Sequence, residues 1–234
     1  MSASTDYLPA RCSRMHSADS TGSRGRVPTQ RIDLEVSPEF VFHAGQYLGI
    51  RLDGLDDMMM SIASAPHRLP NLELHYRPTP GDAQSEALDR LLRDDTQLHL
   101  SGPYGDVRVS RDEDCLLIAG GTGASQAFAI ARDRAHRAVA GRTDVLWCAD
   151  TKHDLYAVDE LQALATLTTV VDDQRRAANA GLQWLRTHAG VMRDANVVIC
   201  GSPGFVYAVH DVLLEVGFAP SALQADVYSY APRA

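Results

Sequence analysis

The sequence has few cysteines, and they form no cluster. The four that are spread along its 234 residues are Cys12, Cys115, Cys148 and Cys200. A zinc or iron–sulfur site usually needs paired cysteines at short spacing, and this chain has no such pair. Its nine histidines also lack the His-x-x-x-His spacing that is typical of a metal site. We therefore expect no metal centre.

Long apolar runs and an excess of basic residues are also absent. No run approaches the roughly 20 residues of a membrane helix, and the N-terminus lacks the apolar core of a signal peptide. The formal net charge of −8 disfavours nucleic acid and anionic membranes, because both attract basic surfaces. We expect a cytoplasmic protein whose partners include neither nucleic acid nor membrane.

Residues 1–110 contain short apolar stretches at regular spacing, separated by turn signals such as Asp53-Gly54. This rhythm predicts an antiparallel β-barrel, interrupted by one helix over Ala83–Arg93. Residues 1–25, which are rich in serine, threonine, arginine and glycine, are expected to be partly disordered. The predicted strands are Leu8–Met15, Arg31–Val36, Gln46–Leu52, Ser61–Ser64, Asn71–Tyr76 and Thr96–Leu100.

Residues 111–234 show longer units, in which strands alternate with helices. That alternation predicts parallel strand pairing and a doubly wound sheet, and hence a second domain of the α/β class. The predicted strands are Cys115–Ala119, Asp144–Ala149, Leu167–Val171, Asn196–Cys200 and Ala225–Tyr230. The predicted helices are Ser125–Ala140, Ala157–Leu164, Gly181–Thr187 and Gly204–Glu215.

The most informative segment is Cys115–Ser125, where an apolar strand runs into a glycine cluster that opens a helix. Such a turn lets a phosphate approach free backbone N–H groups at the positive end of the helix, so it predicts a nucleotide pyrophosphate site. Ser125 is placed to cap the helix. Gln126 stands where the dinucleotide fingerprint has its third glycine, so a glycine turn without a ligand stays open as the alternative.

A series of motifs, taken in order, resembles the ferredoxin–NADP+ reductase superfamily. Among its members, the chain looks most similar to the stand-alone bacterial NAD(P)H:flavin reductases. The resemblance covers roughly residues 28–230. The motifs are Phe42–Leu48, Met60–Ser64, Gly102–Gly105, Ile118–Ser125, Leu155–Tyr156 with Glu160–Leu161, Ile199–Pro203, and Gly217 with Asp226–Tyr228.

The resemblance implies a flavin-binding barrel, of the FAD or FMN type, followed by an NAD(P)-binding domain. It also implies an oxidoreductase that transfers hydride from NADH or NADPH to a flavin. Two alternatives stay open: a reductase component that keeps its flavin and passes electrons to an oxygenase or other protein acceptor, and a nucleotide-binding regulatory subunit that has lost its flavin.

On the flavin side, the resemblance places Ser61 at the flavin N5 atom, which receives the hydride. Ile62 and Ala63 would contact the edge of the flavin ring through their backbone. Met58 stands where the superfamily has a phosphate-binding arginine, and Met60 where it has an aromatic residue. Because a thioether cannot replace an arginine fork, we expect flavin to be a loosely held substrate.

The same resemblance implies other groups around the flavin. Tyr76, Arg77, Gly81 and Ser85 stand where relatives hold the flavin phosphate, and they would compensate in part for the missing arginine. Near the C-terminus, Asp226 corresponds to an acidic residue that lies beside the flavin. The aromatic residue expected to cover the flavin ring is Tyr228 or Tyr230.

On the nucleotide side, the glycine turn would hold the pyrophosphate, and the end of the fourth parallel strand would lie beside the nicotinamide. The implied residues are Gly120, Gly121, Thr122, Gly123 and Ser125 in the turn, with Cys200 and Gly201 at the strand end. Cys200 would act by position and bulk rather than as a nucleophile. Asp150 follows the second parallel strand, where a carboxylate accepts hydrogen bonds from a ribose 2′-hydroxyl.

The position of Asp150 predicts a preference for NADH, because a carboxylate repels the 2′-phosphate of NADPH. Asp150→Arg should therefore shift the ratio of kcat/KM values for NADH and NADPH toward NADPH, by roughly tenfold or more. Steady-state oxidation of both nucleotides measures the ratio. Lys152→Ala, a change in the same loop, is the control. An unchanged ratio would remove the role given to Asp150.

Overall fold

The computed structural model describes residues 6–18, 27–93, 97–110, 112–172 and 176–233. Of residues 1–25, which were predicted to be partly disordered, 1–5 and 19–25 lie outside the described part of the chain. Within it, strand β1 (Leu8–Ser17) occupies most of the described N-terminal segment. Residue Thr96, where a strand was predicted to begin, also lies outside the described residues.

The first half of the chain forms a six-stranded sheet in which every pairing is antiparallel. Its strand order is β4-β3-β6-β1-β2-β5. The further strands are β2 (Gln30–Val36), β3 (Tyr47–Ile50), β4 (Met58–Ser61), β5 (Asn71–Tyr76) and β6 (Leu98–Tyr104), and helix α1 (Ala83–Arg93) lies between β5 and β6.

The two edges of this sheet meet. Ile62, directly after β4, forms an isolated antiparallel bridge with Leu74 of β5. The backbone N–H of Ala63 donates to the carbonyl of Glu73 at 2.8 Å. The sheet therefore curls until its edge strands touch, which agrees with the predicted antiparallel β architecture. Alternate residues of β2, namely Ile32, Leu34 and Val36, are buried in the core inside the curl.

The second half forms a five-stranded parallel sheet with the order β11-β10-β7-β8-β9. Its strands are β7 (Cys115–Gly120), β8 (Thr143–Ala149), β9 (Thr166–Val171), β10 (Asn196–Cys200) and β11 (Leu223–Gln224). The helices that connect them are α2 (Ala124–His136), α3 (Val158–Leu164), α4 (Ala177–His188) and α5 (Pro203–Glu215).

Helices cover both faces of the parallel sheet. Leu116 and Ile118 of β7 pack in one buried cluster with residues of α4 and α5, whereas Leu117 and Ala119 pack in the opposite cluster with α2 and α3. Since successive side chains of a strand point to opposite faces, the continuous apolar run of β7 is what a strand buried on both sides requires. The predicted doubly wound sheet is confirmed.

The predicted last strand, Ala225–Tyr230, is wrong. The structure has the two-residue strand β11 and then a short helix, α6 (Val227–Tyr230). Asp226 has helical backbone angles, and Val227 is buried against the parallel sheet. The apolar and aromatic residues of this segment therefore follow a helical turn rather than a strand. Helix α2 also ends earlier than predicted, at His136.

A charged and hydrogen-bonded network joins the two sheets, and we call it the Glu73 network. Glu73 of β5 accepts hydrogen bonds from Arg132 of α2 and from His75, each at 2.8 Å. His75 also contacts the Tyr156 hydroxyl at 3.0 Å, and Arg132 pairs with Glu160. Burial alone would raise the pKa of Glu73, but His75, Arg132 and Arg31 hold it well below its usual range.

The described residues include neither a membrane-spanning helix nor a metal-binding cluster. In that part of the chain, no helix is both long and apolar enough to cross a bilayer. Nor do three or more histidine, cysteine or acidic side chains come together there in an arrangement that could hold a metal ion.

The turn after β7 packs closely on the end of β10. A Cβ atom at Gly123 would lie 2.5 Å from the carbonyl oxygen of Cys200 and 2.8 Å from the backbone nitrogen of Gly201. Both neighbours are backbone atoms, so neither can rotate away. The glycine therefore allows the two strand ends to approach each other.

We expect Gly123→Ala to lower the free energy of unfolding by about 1–3 kcal/mol, the usual cost of overpacking. Gly204→Ala is the matched control, because Gly204 also lies at a helix start but a Cβ atom there would have no described atom within 4 Å. Urea unfolding followed by circular dichroism gives both values. Equal stabilities for the two variants would contradict the close approach.

Candidate active site

A cleft of about 850 Å³ lies between the two sheets. It gathers most of the residues that the sequence predicted for the flavin and for the nucleotide. From the antiparallel half come Met58, Met60, Ser61, Tyr76, Arg77 and Ser85. From the parallel half come Gly120, Gly121, Thr122, Gly123, Ser125, Asp150 and Gly201.

A smaller cavity of about 310 Å³ adjoins the cleft and shares Met59, Met60, Ser61 and Gly201 with it. Cys200 and Asp226 line this cavity. The three residues predicted to take part in catalysis, Ser61, Cys200 and Asp226, therefore surround one space, although they come from β4, β10 and the segment before α6. Tyr230 lines it as well, whereas Tyr228 bonds to His210 elsewhere.

Three predicted flavin contacts do not line either cavity. Ile62 and Ala63 are fully buried, and their backbone N–H groups donate to the carbonyls of Gln46 and Glu73. Both N–H groups are therefore used for hydrogen bonds within the antiparallel half, so the structure does not leave them for a ligand. Gly81 is exposed just before the start of α1, and a Cβ atom there would meet no described atom within 4 Å.

The glycine turn lies at the point where the strand order of the parallel sheet reverses, between β7 and β10. Open α/β sheets bind ligands at the carboxyl ends of the strands at such a point. Gly121 has φ +55°, a left-handed conformation that suits glycine, and its carbonyl accepts a hydrogen bond from the Trp147 indole at 3.0 Å. The turn is therefore held in place by Trp147 of β8, and its other side lines the cleft.

The prediction that Ser125 caps α2 is wrong. The N-cap is Gly123, no described side chain caps this helix, and Ser125 is buried inside the first turn, where its hydroxyl donates to the Thr122 carbonyl at 2.8 Å. An uncapped helix start that faces a cleft can accept an anion at its first N–H groups. The correction therefore leaves the nucleotide site intact.

Cys200 is the last residue of β10 and is almost fully buried. Burial raises the pKa of its thiol well above the usual value, so the thiol keeps its proton at neutral pH. A protonated, buried thiol is a poor nucleophile. The group can still define the wall of the small cavity by its bulk.

Asp226 is held by a buried glutamine. The Gln126 side-chain N–H₂ group donates to Asp226 at 2.7 Å and to the carbonyl of Gly45 in the other half at 2.5 Å. The second carboxylate oxygen of Asp226 is buried, has no hydrogen-bond partner among the described residues and packs on Gly105. Burial raises the pKa of Asp226 to about 6, so this carboxyl group can hold and release a proton near neutral pH.

The charged groups of the cleft are mostly acidic. Arg77 donates to Asp154 at 2.7 Å and to the Thr29 hydroxyl at 2.9 Å, so its charge is already paired. Asp150 is exposed at the end of β8, and Asp82 lies at the start of α1. The nucleotide half can therefore bind a phosphate through backbone N–H groups, whereas the flavin half has little to offer one.

The chain is similar to known proteins in sequence and in fold. Residues 117–211 match the oxidoreductase NAD-binding domain family. In sequence and in fold the chain resembles the ferredoxin reductase superfamily. Its fold matches a ferredoxin–NADP+ reductase from Plasmodium falciparum with a TM-score of 0.81, at 14% identity, over 95% of this chain and 96% of the other.

Two curated relatives represent the superfamily's functions. The reductase component 2 of terephthalate 1,2-dioxygenase from Comamonas sp is 32% identical over 88% of this chain and 65% of its own length. An NAD(P)H-flavin reductase from Vibrio harveyi is 33% identical over 58% of this chain and 61% of its own length. The chain thus spans slightly less than two thirds of these relatives.

Sequence reasoning missed several residues of the site. Asp82, Asp154 and Phe205 line the cleft, and Gln126 links its two halves. Phe205 lies against Gly120 and Gly201, within 2.9 Å of a Cβ atom at either one. Only Gln126 carried a signal, because it replaces the third glycine of the fingerprint. The others depend on contacts between distant segments.

The raised pKa of Asp226 predicts a pH dependence of stability. The folded protein holds this proton more tightly than the unfolded chain, whose aspartate titrates near 4. This group therefore favours the folded state at low pH and loses that effect as pH rises through about 6. As pH rises from roughly 4 to 7, the free energy of unfolding of Asp226→Asn should therefore increase relative to that of the wild type by about 2 kcal/mol.

Chemical unfolding of both proteins across this pH range measures the difference. The exposed Asp53→Asn is the control, and it should follow the wild type. If the free energies of unfolding of Asp226→Asn and the wild type change with pH in the same way, the carboxyl group does not titrate as its burial implies.

Proposed function

We propose that the protein is an NAD(P)H-dependent flavin reductase that favours NADH. The observation that carries the proposal is the meeting of Ser61, Cys200 and Asp226 around one cavity, next to the glycine turn. The first residue comes from the half that resembles a flavin site, and the second from the half that matches the NAD-binding family. Hydride would pass from the nicotinamide to a flavin between them.

The nucleotide half fits a dinucleotide. The uncapped start of α2 and the open Gly121 would receive the pyrophosphate, and the exposed Asp150 would accept hydrogen bonds from the adenosine ribose. Cys200 and Gly201 would then lie beside the nicotinamide. The close contact of Gly123 with β10 keeps these parts at a fixed separation.

The flavin half fits a flavin ring better than it fits a flavin phosphate. Met58, Met60 and Ser61 line a space that adjoins the nicotinamide side, and thioethers pack well on aromatic faces. No free cation among the described lining residues would bind the phosphate, since Arg77 is paired with Asp154. A flavin that binds weakly and leaves after reduction suits this arrangement.

The protein's own groups would position the reactants and supply a proton. When bound, flavin supplies an electrophilic ring nitrogen, N5, that accepts hydride. The Ser61 hydroxyl is small enough to donate a hydrogen bond there without blocking the nicotinamide. The buried thiol of Cys200 limits how the nicotinamide tilts. Asp226 is protonated in part near neutral pH, so it would exchange a proton with a reactant in the small cavity. The Gln126 amide holds one oxygen of this carboxyl group in place.

A second candidate function is that of a reductase component that passes electrons to an oxygenase. It is favoured by the relatives that carry this description, among them the reductase components of terephthalate and naphthalene dioxygenases. Met59 and Tyr230 are 49% and 57% exposed at the small cavity, where an acceptor protein would approach. A flavin-less regulatory subunit is the third possibility, and flavin-dependent oxidation of NADH distinguishes it from both enzymes.

We also propose residues 1–110 as the flavin domain and residues 111–234 as the nucleotide domain. The two sheets have separate buried cores, which supports this division. In the described part of the chain, the buried residues of the antiparallel core end at Leu100, and those of the two clusters that cover the parallel sheet begin at Val107. Because NADH and free flavins are metabolites of the cytoplasm, we place the protein there.

Oxidation of NADH in the presence of riboflavin, FMN or FAD tests the proposed function. We expect turnover with a high flavin KM and no flavin retained after dialysis. Met58→Arg restores the charge that the superfamily has at this position, so it should lower the KM for FMN and FAD by roughly tenfold. Met58→Leu, which keeps the site apolar, should leave both values near those of the wild type.

The possible outcomes separate the three functions. Protein that stays yellow after dialysis favours the oxygenase component over the free-flavin reductase. NADH oxidation that stays at background with every flavin sinks both enzymes and leaves the regulatory subunit. If Met58→Arg and Met58→Leu behave alike, Met58 does not face the flavin phosphate.

A further inference from the structure

Three aspartates lie in the segments that meet at the start of α1, on the flavin side of the cleft. Asp56 and Asp57 lie in the turn before β4, and Asp82 directly precedes the helix. The side chain of Gln84, in the first turn of α1, donates to the carbonyl of Asp56 at 3.0 Å, so the turn and the helix start are neighbours. Asp82 lines the cleft together with Met58.

Asp82 already occupies the helix start. Its carboxylate accepts a hydrogen bond from the backbone N–H of Ser85 at 2.8 Å, and the Ser85 hydroxyl accepts one from the backbone N–H of Thr79 at 3.1 Å. A helix start is a favourable place for a phosphate because its first N–H groups are free and its dipole attracts negative charge. Here the protein's own carboxylate uses that position.

The cationic groups of the cleft do not offset this charge. Among its described lining residues, Arg77 is the one arginine or lysine, whereas three carboxylates line the same cleft, Asp82, Asp150 and Asp154. Arg77 is bound to Asp154 at 2.7 Å. His75 also lines the cleft, but burial lowers its pKa, so it brings no charge at neutral pH.

The distance along β4 relates these groups to a flavin. Met58 lies three positions before Ser61, a distance of about 10 Å at the usual rise of a strand. The ribityl arm of a flavin whose ring lies at Ser61 has a similar reach. A terminal phosphate on that arm, with a charge of about −1.5 to −2, would come to lie beside Met58 and Asp82.

We propose that Asp82 is a specificity-determining residue, which makes this site select a flavin without a terminal phosphate, such as riboflavin, over FMN and FAD. The inference rests on the proposed function for the identity of the ligand ring. It adds to that function a repulsive element, because loss of the superfamily arginine removes attraction, whereas Asp82 actively disfavours the phosphorylated flavins.

The test compares riboflavin with FMN in the wild type and in Asp82→Asn. Asparagine caps a helix as well as aspartate does, so the variant removes the charge and keeps the fold. We expect the wild-type KM for FMN to exceed that for riboflavin by roughly fivefold or more, and Asp82→Asn to remove most of this difference. The KM for riboflavin should stay within about twofold.

Two controls sharpen the result. Glu86→Gln removes the same charge from an exposed position on α1 that does not line the cleft, so it should leave both KM values unchanged. Added salt should reduce the preference of the wild type for riboflavin, because it screens repulsion between partly exposed charges, and should have little effect on Asp82→Asn.

Quenching of flavin fluorescence measures the binding of riboflavin and FMN without NADH. It therefore separates this inference from the proposed function, since riboflavin selectivity without turnover would support the first and contradict the second. Turnover with equal KM values for the two flavins would support the proposed function and contradict this inference. An Asp82→Asn effect of the same size on riboflavin and FMN, or no binding of either flavin, would overturn the inference.

Discussion

The Glu73 network fixes the two sheets relative to each other, and the site between them depends on that arrangement. Glu73 and His75 lie on β5 of the antiparallel sheet, whereas Arg132, Tyr156 and Glu160 belong to the parallel half. Buried ion pairs add little net stability, because desolvation offsets their attraction, but an unpaired member is costly. Such a network therefore disfavours orientations of the sheets that would leave one of these charges buried and unpaired. The relative placement of Ser61 and Cys200 follows from it.

Within this frame, the two halves of the cleft differ in how fully they are formed. The nucleotide half follows from the parallel topology, since reversal of strand order between β7 and β10 opens a crevice that the glycine turn lines. The flavin half has the hydroxyl that would orient a ring, but the arginine that lines it is paired and a carboxylate occupies the helix start. The small cavity, with Asp226 and Cys200, joins the halves. The proposed reductase would therefore bind one reactant firmly and the other weakly.

How much of this could be predicted from the sequence depends on whether the signal was local. The strand, turn and helix at Cys115–Ser125 follow from neighbouring residues, as does the amphipathic helix Ala83–Arg93, which the structure has with the same bounds. The segment Ala225–Tyr230 misled because its apolar residues suit a strand as well as a helical turn. Ile62 and Ala63 matched a flavin motif, yet their N–H groups form hydrogen bonds within the antiparallel half. Gln126 stands out in the glycine fingerprint, but its partners, like those in the Glu73 network, come from distant segments that no local pattern identifies.

Transfer of hydride across the cleft is tested most directly by mixing the protein and riboflavin with NADH that carries deuterium at C4, without oxygen, in a stopped-flow instrument. Loss of flavin absorbance should be slower with the deuterated nucleotide than with ordinary NADH, because a C4–H bond breaks as the flavin is reduced. Cys200→Ala should alter this isotope effect by changing how the nicotinamide lies. Absorbance that does not change, or that falls at the same rate with both nucleotides, would contradict transfer between these two halves.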